Sequence, residues 1–437
     1  MKILVWGLGH VGSVCAAGFA ALGHEVAGID PDTARVHALL DGEPRLHEEG
    51  LHTLVSEALA SGRLSVSERG DRLVPGFDVS LVCVGTTGPD GRHSVENLLD
   101  VAAVIGGALA SSRAAHVVAV RSTVEMGFTK NVLLPALEHH AGRRAGVDFS
   151  VAVVPEFLRE GNAVEDFRSP SSIVLGAWDP LAVDALERVF SVLEAPILVV
   201  TPEEAELLKL ANNAYHALKV GFANEITRVA ELCGLPSDKV LELVALNQRR
   251  AALNAYLRPG FAFGGSCLPK DLRSLLAFAE TLGADVPILR GVLPSNERHL
   301  DAFCRRVRTM GVRRVGVAGL AFKPGTGDLR ESPALLLVHR LREGGLYVLV
   351  HDPEIDPGVL MGANRAFATR FVPDLEHIFR KNAGAFVRDV QAVIVTHRAA
   401  TLDPVLRACE SARRPIVTPW AMTSLPEVVA GSRVRPL

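Results

Sequence analysis

The sequence predicts an α/β protein with two doubly wound, parallel-sheet domains, joined by a long central helix and a small helical domain. Three observations support this fold class. Apolar, strand-like runs alternate with helical segments near the N-terminus, the same alternation returns in the last third, and a helical pattern of about thirty residues lies between them. The predicted domains span residues 1–200, 201–300 and 301–437.

Composition limits the classes of protein and partner. The 437 residues are 48% hydrophobic and 22% charged, which is typical of a chain with more than one well-buried core. The net charge of −3 gives no basic field for nucleic acid, so we expect no nucleic-acid partner. The cysteines follow neither a disulfide framework nor a metal-binding spacing, which favours a reducing compartment and no bound metal. They are Cys15, Cys83, Cys233, Cys267, Cys304 and Cys409.

The N-terminal segment and the apolar runs bear on location. Residues 1–12, MKILVWGLGHVG, predict a strand and a turn instead of the charged and apolar regions of a signal peptide. The sequence contains no uncharged run of about twenty apolar residues, the length that a membrane-spanning helix needs. We therefore expect a cytoplasmic protein without a membrane partner.

A glycine-rich turn identifies a candidate cofactor site. The apolar strand 2–6 is followed by GLGHVG at 7–12, an alanine-rich helix, and a second strand that ends at Asp30. This order matches the Rossmann dinucleotide-binding motif, in which the glycines let the backbone approach a pyrophosphate. Asp30 would bind the ribose hydroxyls and repel a 2′-phosphate, which predicts NAD instead of NADP. The alternative is a glycine-rich turn in an unrelated α/β domain.

Polar residues follow three further strands of the first domain. Thr86 comes after the strand 79–84, Thr123 after 117–120, and Glu156 after 151–154. Taken singly, each is ordinary loop composition. Because the carboxyl ends of parallel strands meet at one edge of a sheet, we expect these side chains to form one site beside the cofactor.

The central helix carries polar residues on an otherwise apolar pattern. Its start is indicated by a hydroxyl cap, a proline and two acids at 201–204, and its end by Gly234. Lys209, Asn213 and His216 recur at helical spacing on one face. This face is either solvated or turned towards a ligand. The polar pair 224–225, which also interrupts apolar sequence, favours a ligand.

The segment RPGFAFGGSCLPKD, residues 258–271, contains the strongest candidate nucleophile. Pro269 suits the first turn of a helix, so Cys267 would lie at a helix N-terminus, where the dipole favours a thiolate. Lys270 adds positive charge nearby. The alternative is a buried structural cysteine in a glycine-rich turn. At the start of the segment, the guanidinium of Arg258 suits a phosphate group.

The last third repeats the strand–turn–helix–strand order of the first domain. A strand at 315–320 is followed by a glycine-rich turn, a helix from Ser332, and a strand that ends before Asp352. Because this unit lacks the GxGxxG pattern, we do not expect a second dinucleotide there. Lys323 and Arg330 suit a phosphate-bearing ligand instead. We expect the strand 392–396 to complete a second, small parallel sheet.

These features together point to redox chemistry with a covalent intermediate. An NAD enzyme that interconverts an alcohol and a carbonyl needs no thiol, whereas oxidation of an aldehyde to an acid can use one. Lys209 and Asn213 are suited to stabilise the oxyanions of such steps. Glu156 or Asp271 could move protons and activate water.

The chain resembles the UDP-glucose/GDP-mannose dehydrogenase family. The motifs GLGHVG, VPEFLREGNA, KLANNAYHALKVGFANEI, GFAFGGSCLPKD and FKPGTGDLRESP match the family in order. The resemblance implies an N-terminal NAD domain, a central helix and a C-terminal, Rossmann-like nucleotide-sugar domain. It also implies a four-electron oxidation of the sugar C6 alcohol to a carboxylate with two NAD, in a homodimer or a higher homo-oligomer.

The resemblance also assigns residues to three groups. The catalytic group is Cys267 as the nucleophile, with Thr123, Glu156, Lys209, Asn213 and Asp271. The NAD-binding group is Gly7, Gly9, His10, Val11, Gly12, Asp30, Arg35, Thr86, Thr123, Lys270 and Arg330. The nucleotide-sugar group is Glu160, Lys209, Asn213, His216, Asn224, Tyr256, Arg258, Phe261, Gly264 and Lys323.

The motif wording favours one substrate within the family. HALKVGFANEI and Leu268 after the cysteine resemble the GDP-mannose branch, which predicts conversion of GDP-mannose to GDP-mannuronate. UDP-glucose is the alternative, because Ala255 stands where the GDP-mannose branch has a tyrosine. His10 and Thr87 also depart from the usual Tyr and Pro, and Gly327 from a frequent Asp. A non-catalytic nucleotide-sugar-binding regulator is the alternative of another class, but the nucleophilic cysteine and both oxyanion-stabilising residues are present.

Overall fold

The computed structural model describes residues 1–44, 46, 48–87, 94–112, 115–246 and 257–419. The chain divides into two compact units, of which the first ends at Asn212 and the second begins at Asn213. Within the described residues, no helix is both long enough and apolar enough to cross a membrane.

The first unit is organised around an eight-stranded sheet. Its strand order is β3-β2-β1-β4-β5-β6-β7-β8, and neighbouring strands are parallel except for the antiparallel pair β6–β7. This reversal is not evident from the sequence, because a buried apolar strand has the same composition in either direction. The strands are β1 (Lys2–Trp6), β2 (Glu25–Ile29), β3 (Leu64–Ser67), β4 (Val79–Val82), β5 (Val117–Val120), β6 (Ser150–Val153), β7 (Ile173–Ala177) and β8 (Ile197–Val200).

Helices cover both faces of this sheet. Ile3 and Val5 of β1 belong to one core cluster with residues of α1, α3, α6 and α7, whereas Leu4 and Trp6 belong to another with residues of α4 and α5. Successive strand residues face opposite ways, so two separate cores are the expected result. The helices are α1 (His10–Ala21), α2 (Thr33–Leu40), α3 (Leu51–Ala60), α4 (Glu96–Leu109), α5 (Leu134–Ala141), α6 (Ala163–Arg168) and α7 (Pro180–Phe190).

The predicted long helix is α8, Pro202–Leu232, and the boundary between the two units lies within it. Its N-terminus is a capping box. The Thr201 hydroxyl accepts from the Glu204 backbone N–H at 3.3 Å, and the Glu204 carboxylate accepts from the Thr201 backbone N–H at 2.8 Å. Two of the N–H groups that a helix leaves unpaired at its start are thereby satisfied.

The second unit contains a four-stranded parallel sheet, and several of its described helices precede that sheet in the chain. The sheet order is β10-β9-β11-β12, so the strand predicted at 392–396 does not complete the sheet, because β12 pairs beyond it. At two residues, β12 is too short to give a recognisable sequence pattern. The helices before the sheet are α9 (Ser237–Leu246), α10 (Leu268–Thr281) and α11 (Pro287–Thr309). The strands are β9 (Arg314–Ala318), β10 (Tyr347–His351), β11 (Ala392–Val395) and β12 (Ile416–Val417).

Around this second sheet, the helices and strands enclose one apolar core. The helices are α12 (Pro333–Glu343), α13 (Gly362–Phe371), α14 (Leu375–Ile378), α15 (Ala383–Arg388) and α16 (Asp403–Ser411). The predicted α/β class with two Rossmann-like sheets, a long central helix and a small helical segment is confirmed.

Candidate active site

The turn after β1 has the backbone that a pyrophosphate site requires. Gly7 has φ +88°, and a Cβ there would lie 2.9 Å from the Cα of Val84. A Cβ on Gly12 would collide with the carbonyl of Gly7, whereas one on Gly9 would meet no heavy atom within 4 Å. The turn is therefore packed tightly against the protein and open at Gly9, where a ligand can approach the backbone at the start of α1.

Asp30 is fixed at the end of β2, next to this turn. It is 3% exposed and accepts from the Leu8 backbone N–H at 2.7 Å and from the Asp32 backbone N–H at 3.0 Å. Arg35 donates to the same carboxylate at 2.7 Å, so the structure brings these two predicted NAD residues together. These contacts hold the Asp30 side chain in one orientation, as ribose recognition needs.

The other two residues of the GLGHVG motif predicted to bind NAD begin α1. Val11 packs against the apolar core behind the turn. The imidazole of His10 lies 2.6 Å from the carboxylate of Glu48. Glu48 was not identified from the sequence, because no motif marks it and it lies in a polar segment.

The strand-end residues lie at the carboxyl edge of the sheet. Thr86 follows β4, Thr123 follows β5 and Glu156 follows β6, and these three strands are neighbours. Thr86 and Glu156 are buried, and Thr123 is partly exposed. The three residues therefore follow neighbouring strands at one edge of the sheet, and their common site stays a prediction.

Glu156 and Lys209 form a buried ion pair. Their Oε1 and Nζ atoms are 2.8 Å apart, and Lys209 also donates to the Glu156 backbone carbonyl at 2.7 Å. Burial by itself would raise the pKa of Glu156, but Lys209, the nearby Arg121 and the Leu158 backbone N–H lower it below its usual value. The Glu156 carboxylate is therefore ionised near neutral pH and able to accept a proton. Arg121, a buried cation, was missed by the sequence interpretation.

A second buried carboxylate lies in the second unit. Asp271 is 1% exposed, and its two oxygens lie 2.7 Å from Nζ of Lys270 and 2.5 Å from Nδ2 of Asn213. Three predicted residues are thus brought together. The positive charge of Lys270 is balanced by Asp271, so its effect on a neighbouring thiol is smaller than the sequence alone implies.

Cys267 lies where the sequence places it, immediately before α10. Its side chain is exposed, and its carbonyl accepts the Asp271 backbone N–H at 2.9 Å as the first bond of the helix. Gly265, with φ +83°, has no room for a Cβ, which would lie 2.7 Å from the Phe322 ring. The exposed thiol at a helix start is therefore not a buried structural cysteine, and the helix dipole favours its thiolate.

A cavity of about 680 Å³ opens in the second unit beside residues 257–262. Arg258 and Phe261 line it, together with Asp238 and Glu242 of α9 and residues 396–398 after β11. Asn224 donates to the Phe261 carbonyl at 3.1 Å. Its own buried Oδ1 has no hydrogen-bond partner among the described residues. An unpartnered buried acceptor is expected where a ligand donates a hydrogen bond.

The remaining predicted residues have these positions. Glu160 and His216 are partly exposed, as is Lys323 in the turn after β9. A Cβ on Gly264 would collide with the Glu331 carbonyl. Arg330 forms an ion pair of 2.6 Å with Asp328. Tyr256 and Ala255 lie outside the described residues.

Comparisons with known proteins identify the family of the chain. Residues 1–194 match the NAD binding domain, 203–298 the central domain and 316–415 the UDP binding domain of one family. The chain belongs to the UDP-glucose/GDP-mannose dehydrogenase family. It is an NAD-dependent nucleotide-sugar 6-dehydrogenase, so the predicted family, enzyme class and cofactor are confirmed.

Two curated relatives and one solved structure illustrate the similarity. A GDP-mannose 6-dehydrogenase of Pseudomonas putida is 37% identical over 399 residues, 91% of each chain. A UDP-glucose 6-dehydrogenase of Haloferax volcanii is 37% identical over 81% of this chain and 83% of its own. A solved UDP-glucose dehydrogenase from Pyrobaculum islandicum is 36% identical, with a TM-score of 0.87 over 99% of this chain and 96% of its own.

The dehydrogenase holds its cavity segment in place through a buried histidine. His299 of α11 accepts from Arg228 at Nδ1, at 3.1 Å, and its Nε2 lies 3.1 Å from the Gly260 carbonyl, to which it donates. This bonding assigns the neutral tautomer. Burial, together with the charges of Arg228 and Arg306, lowers the pKa of His299 to about 4, although the hydrogen bond to the Gly260 carbonyl acts in the opposite direction.

We expect stability to fall in acid through His299. Its folded pKa lies below the value of about 6.5 for an unfolded histidine, so the contribution is complete above pH 6.5 and is lost as the pH falls towards 4. The full loss is about 3 kcal/mol. Thermal unfolding at pH 5 and pH 7.5 should show a larger decrease for the native chain than for His299→Asn. His52→Gln, which removes an exposed imidazole, should match the native chain. An equal decrease for His299→Asn would contradict this assignment.

Proposed function

We propose that this dehydrogenase oxidises the C6 hydroxyl of GDP-mannose to a carboxylate through a covalent thioester on Cys267. The observation that carries the proposal is the exposed Cys267 thiol at the start of α10. A dehydrogenase that stopped at the aldehyde would not need a nucleophile in this setting, whereas formation of an acid does. When bound, NAD accepts the hydride that leaves C6 in each of the two oxidation steps.

The Cys267 thiol forms a covalent bond to the substrate and is released again at the end of the reaction. After the first oxidation, the Cys267 sulfur bonds to C6 of the aldehyde, and the thiol proton passes to the carbonyl oxygen, which gives a thiohemiacetal. Loss of a hydride from C6 and of the hydroxyl proton gives a thioester. Water then attacks C6 and the carbon–sulfur bond breaks. One proton of the water returns to the sulfur and the other is released, which leaves the carboxylate and the free thiol.

The buried pairs supply the supporting roles. Lys209 is held by Glu156 at 2.8 Å, and we assign its ammonium to the oxyanion of the reacting C6 group. Glu156, ionised by its cationic neighbours, would serve as the base for the attacking water. We assign Asn213 to oxyanion binding and Asp271, which accepts from it at 2.5 Å, to its orientation. Thr123 is assigned to hydrogen bonding with the substrate.

Replacement of the nucleophile tests the thioester. We expect Cys267→Ser to form no uronic acid within the time in which the native enzyme completes turnover, because a hydroxyl at ordinary pKa is a far weaker nucleophile than a thiolate. Chromatography of the products measures the acid. The variant should still bind NAD in a calorimetric titration, because Cys267 lies in the second unit and the GLGHVG turn lies in the first. Cys233→Ser, at another exposed cysteine, is the matched control and should keep full activity. Normal acid formation by Cys267→Ser would exclude the thioester.

The cavity supports a guanine nucleotide. The carboxylates of Asp238 and Glu242 line it. A carboxylate complements the adjacent N1–H and N2–H₂ donors of guanine, whereas uracil offers one N–H between two carbonyls. Six relatives at 35–37% identity, including that of Pseudomonas putida, are GDP-mannose 6-dehydrogenases. UDP-glucose is the second candidate, because the Haloferax and Pyrobaculum relatives are as similar in sequence.

A direct comparison of the two sugars tests the substrate. We expect about two NADH per sugar from GDP-mannose, and a kcat/KM for UDP-glucose lower by about a hundredfold, since a site built for guanine donors leaves its carboxylates unpaired with uracil. Glu242→Gln should lower kcat/KM for GDP-mannose by about tenfold. Glu280→Gln, at an exposed position of α10, is the control. A higher kcat/KM for UDP-glucose would show that UDP-glucose is the substrate instead. Formation of about one NADH per sugar would show that the oxidation stops at the aldehyde.

We also propose that the enzyme is a homodimer. On α8, the exposed side chains of Tyr215, Phe222 and Val229 recur at intervals of seven residues, with exposed fractions of 46%, 45% and 59%. A seven-residue apolar repeat suits pairing with an identical helix, and a two-fold axis lets each copy cover the other. An apolar stripe of this length is otherwise costly on a surface.

Introduction of charge tests this interface. We expect Phe222→Glu to shift the native enzyme from dimer to monomer at micromolar concentration, because two carboxylates would meet near the two-fold axis. Light scattering after size exclusion measures the mass. Val359→Glu, at a 70% exposed position in the second unit, should leave the mass unchanged. A monomeric native enzyme, or an unchanged mass for Phe222→Glu, would contradict the proposal.

The cellular setting follows from the same reasoning. The six cysteines include no disulfide and therefore fit the reducing cytoplasm. GDP-mannuronate, an activated uronic acid, is suited to the biosynthesis of an acidic polysaccharide such as alginate. We propose this location and use for the enzyme.

A further inference from the structure

One buried carboxylate connects the dinucleotide turn to a distant segment of the first unit. Glu48 has a fully buried side chain, and its Oε2 lies 2.6 Å from Nε2 of His10, the first residue of α1. The same oxygen accepts from the Gly161 backbone N–H at 2.8 Å, and Oε1 accepts from the Ala163 backbone N–H at 2.6 Å. Glu48 therefore holds the start of α1 against the segment 160–163.

This segment depends on Glu48 for its local structure. Ala163 begins α6, and the preceding residue, Asn162, makes no side-chain capping bond. The N–H groups at a helix start need an acceptor, and here a carboxylate from another part of the chain supplies it. Glu160, which precedes this turn, is a predicted contact of the nucleotide sugar. Glu48 thus connects the cofactor turn and the substrate segment through one side chain.

The charges around His10 favour its protonated form. The carboxylates that face it are Glu48, Glu160 and Glu156. Burial lowers the pKa of His10, but the hydrogen bond to Glu48 and the charges of these three groups raise it above its usual value. For Glu48, burial raises the pKa, but His10 and the two backbone N–H donors lower it below the usual value. A raised pKa for the histidine and a lowered pKa for the carboxylate are what an ion pair between them produces.

Loss of the proton from His10 changes the electrostatics of the turn. The GLGHVG turn receives a pyrophosphate, which carries negative charge. With His10 protonated, the charge of Glu48 is balanced. With His10 neutral, a buried carboxylate lies behind the turn without a counter-charge and repels the pyrophosphate.

We propose that His10 is a proton-dependent NAD-binding residue and that Glu48 is the positioning residue that holds it, so that the affinity for NAD falls as His10 loses its proton. The proposal concerns cofactor binding alone, and it goes beyond the substrate and mechanism proposed above. Among the side chains, histidine is the one whose charge responds to pH near neutrality, and here it is the first residue of the helix that follows the turn.

The test is calorimetric titration of the complete enzyme with NAD, without any sugar, from pH 6 to pH 9. The affinity should be highest at pH 6 and should fall about fivefold as the pH rises through the pKa of His10, because the bound state retains the proton more strongly. His10→Gln keeps a donor for Glu48 but no charge. It should bind NAD about as weakly at pH 6 as the native enzyme does at pH 9, with no pH dependence.

Two further variants separate the proposal from a purely structural role. Glu48→Gln should move the decrease in affinity to lower pH, because His10 loses its ion-pair partner. His52→Gln removes an exposed imidazole four residues from Glu48 and should reproduce the native profile. If His10 and Glu48 only stabilised the fold, each variant would weaken binding equally at every pH, and the native pH dependence would persist in His10→Gln. That result would overturn the proposal.

A measurement on the native enzyme needs no variant. Titration in two buffers with different ionisation enthalpies at pH 7.5 reports the protons taken up as NAD binds. We expect uptake of a fraction of one proton, and no uptake at any pH from 6 to 9 would also overturn the proposal. Because no sugar is present, these results are independent of the substrate and of Cys267.

Discussion

The candidate site depends on one constraint, which is that a buried carboxylate must be paired. Burial without a partner would raise the pKa of the group or cost several kcal/mol. Asp30 is matched by Arg35, Glu156 by Lys209, Asp271 by Lys270, and Glu48 by His10. Each pair fixes the geometry of a residue predicted to bind cofactor or substrate. The acid and its partner are therefore a single structural element, and a change at either one alters both.

Both sheets have an aspartate that accepts hydrogen bonds from the turn after their first strand, but only the first sheet has the glycine-rich GLGHVG turn. Asp30 ends β2 and accepts from the backbone N–H of Leu8, in the turn after β1. Asp352 follows β10 and accepts from the backbone N–H groups of Leu320 and Ala321, after β9, at 2.6 and 3.1 Å. Both acids thus hold the turn after the first strand of their unit. In the second unit both N–H groups are used by the acid, and the turn lacks the GLGHVG glycines. An acid at this position is therefore a structural feature of the repeat, and only the glycine turn makes the first one a dinucleotide site.

The parts of the site that could be predicted from sequence are those with a local pattern. The GLGHVG turn, the acid about twenty residues later, and Cys267 before a proline each follow from a short run of residues and the geometry that it forces. Glu48 was missed because its partners at 161 and 163 are more than a hundred residues away in the chain. His299 and Arg121 were missed because their hydrogen-bond partners are also far away in the chain, so no local spacing of residues marks them. The reversal at β6–β7 left no pattern because direction does not affect which side chains are buried.

The pairing of Glu156 also bears on the proton transfers of the proposed mechanism. Lys209 and Arg121 keep the Glu156 carboxylate ionised in the resting enzyme, so it can accept a proton and has none to give. Glu156 is thus suited to act as a base and not as an acid, which matches its proposed role towards the water that attacks the thioester. Protonation of Glu156 in that step would weaken its attraction for Lys209, and the ammonium would then be freer to stabilise the negative charge of the oxyanion. The ion pair would thereby make positive charge available at the hydrolytic step without any change in the fold.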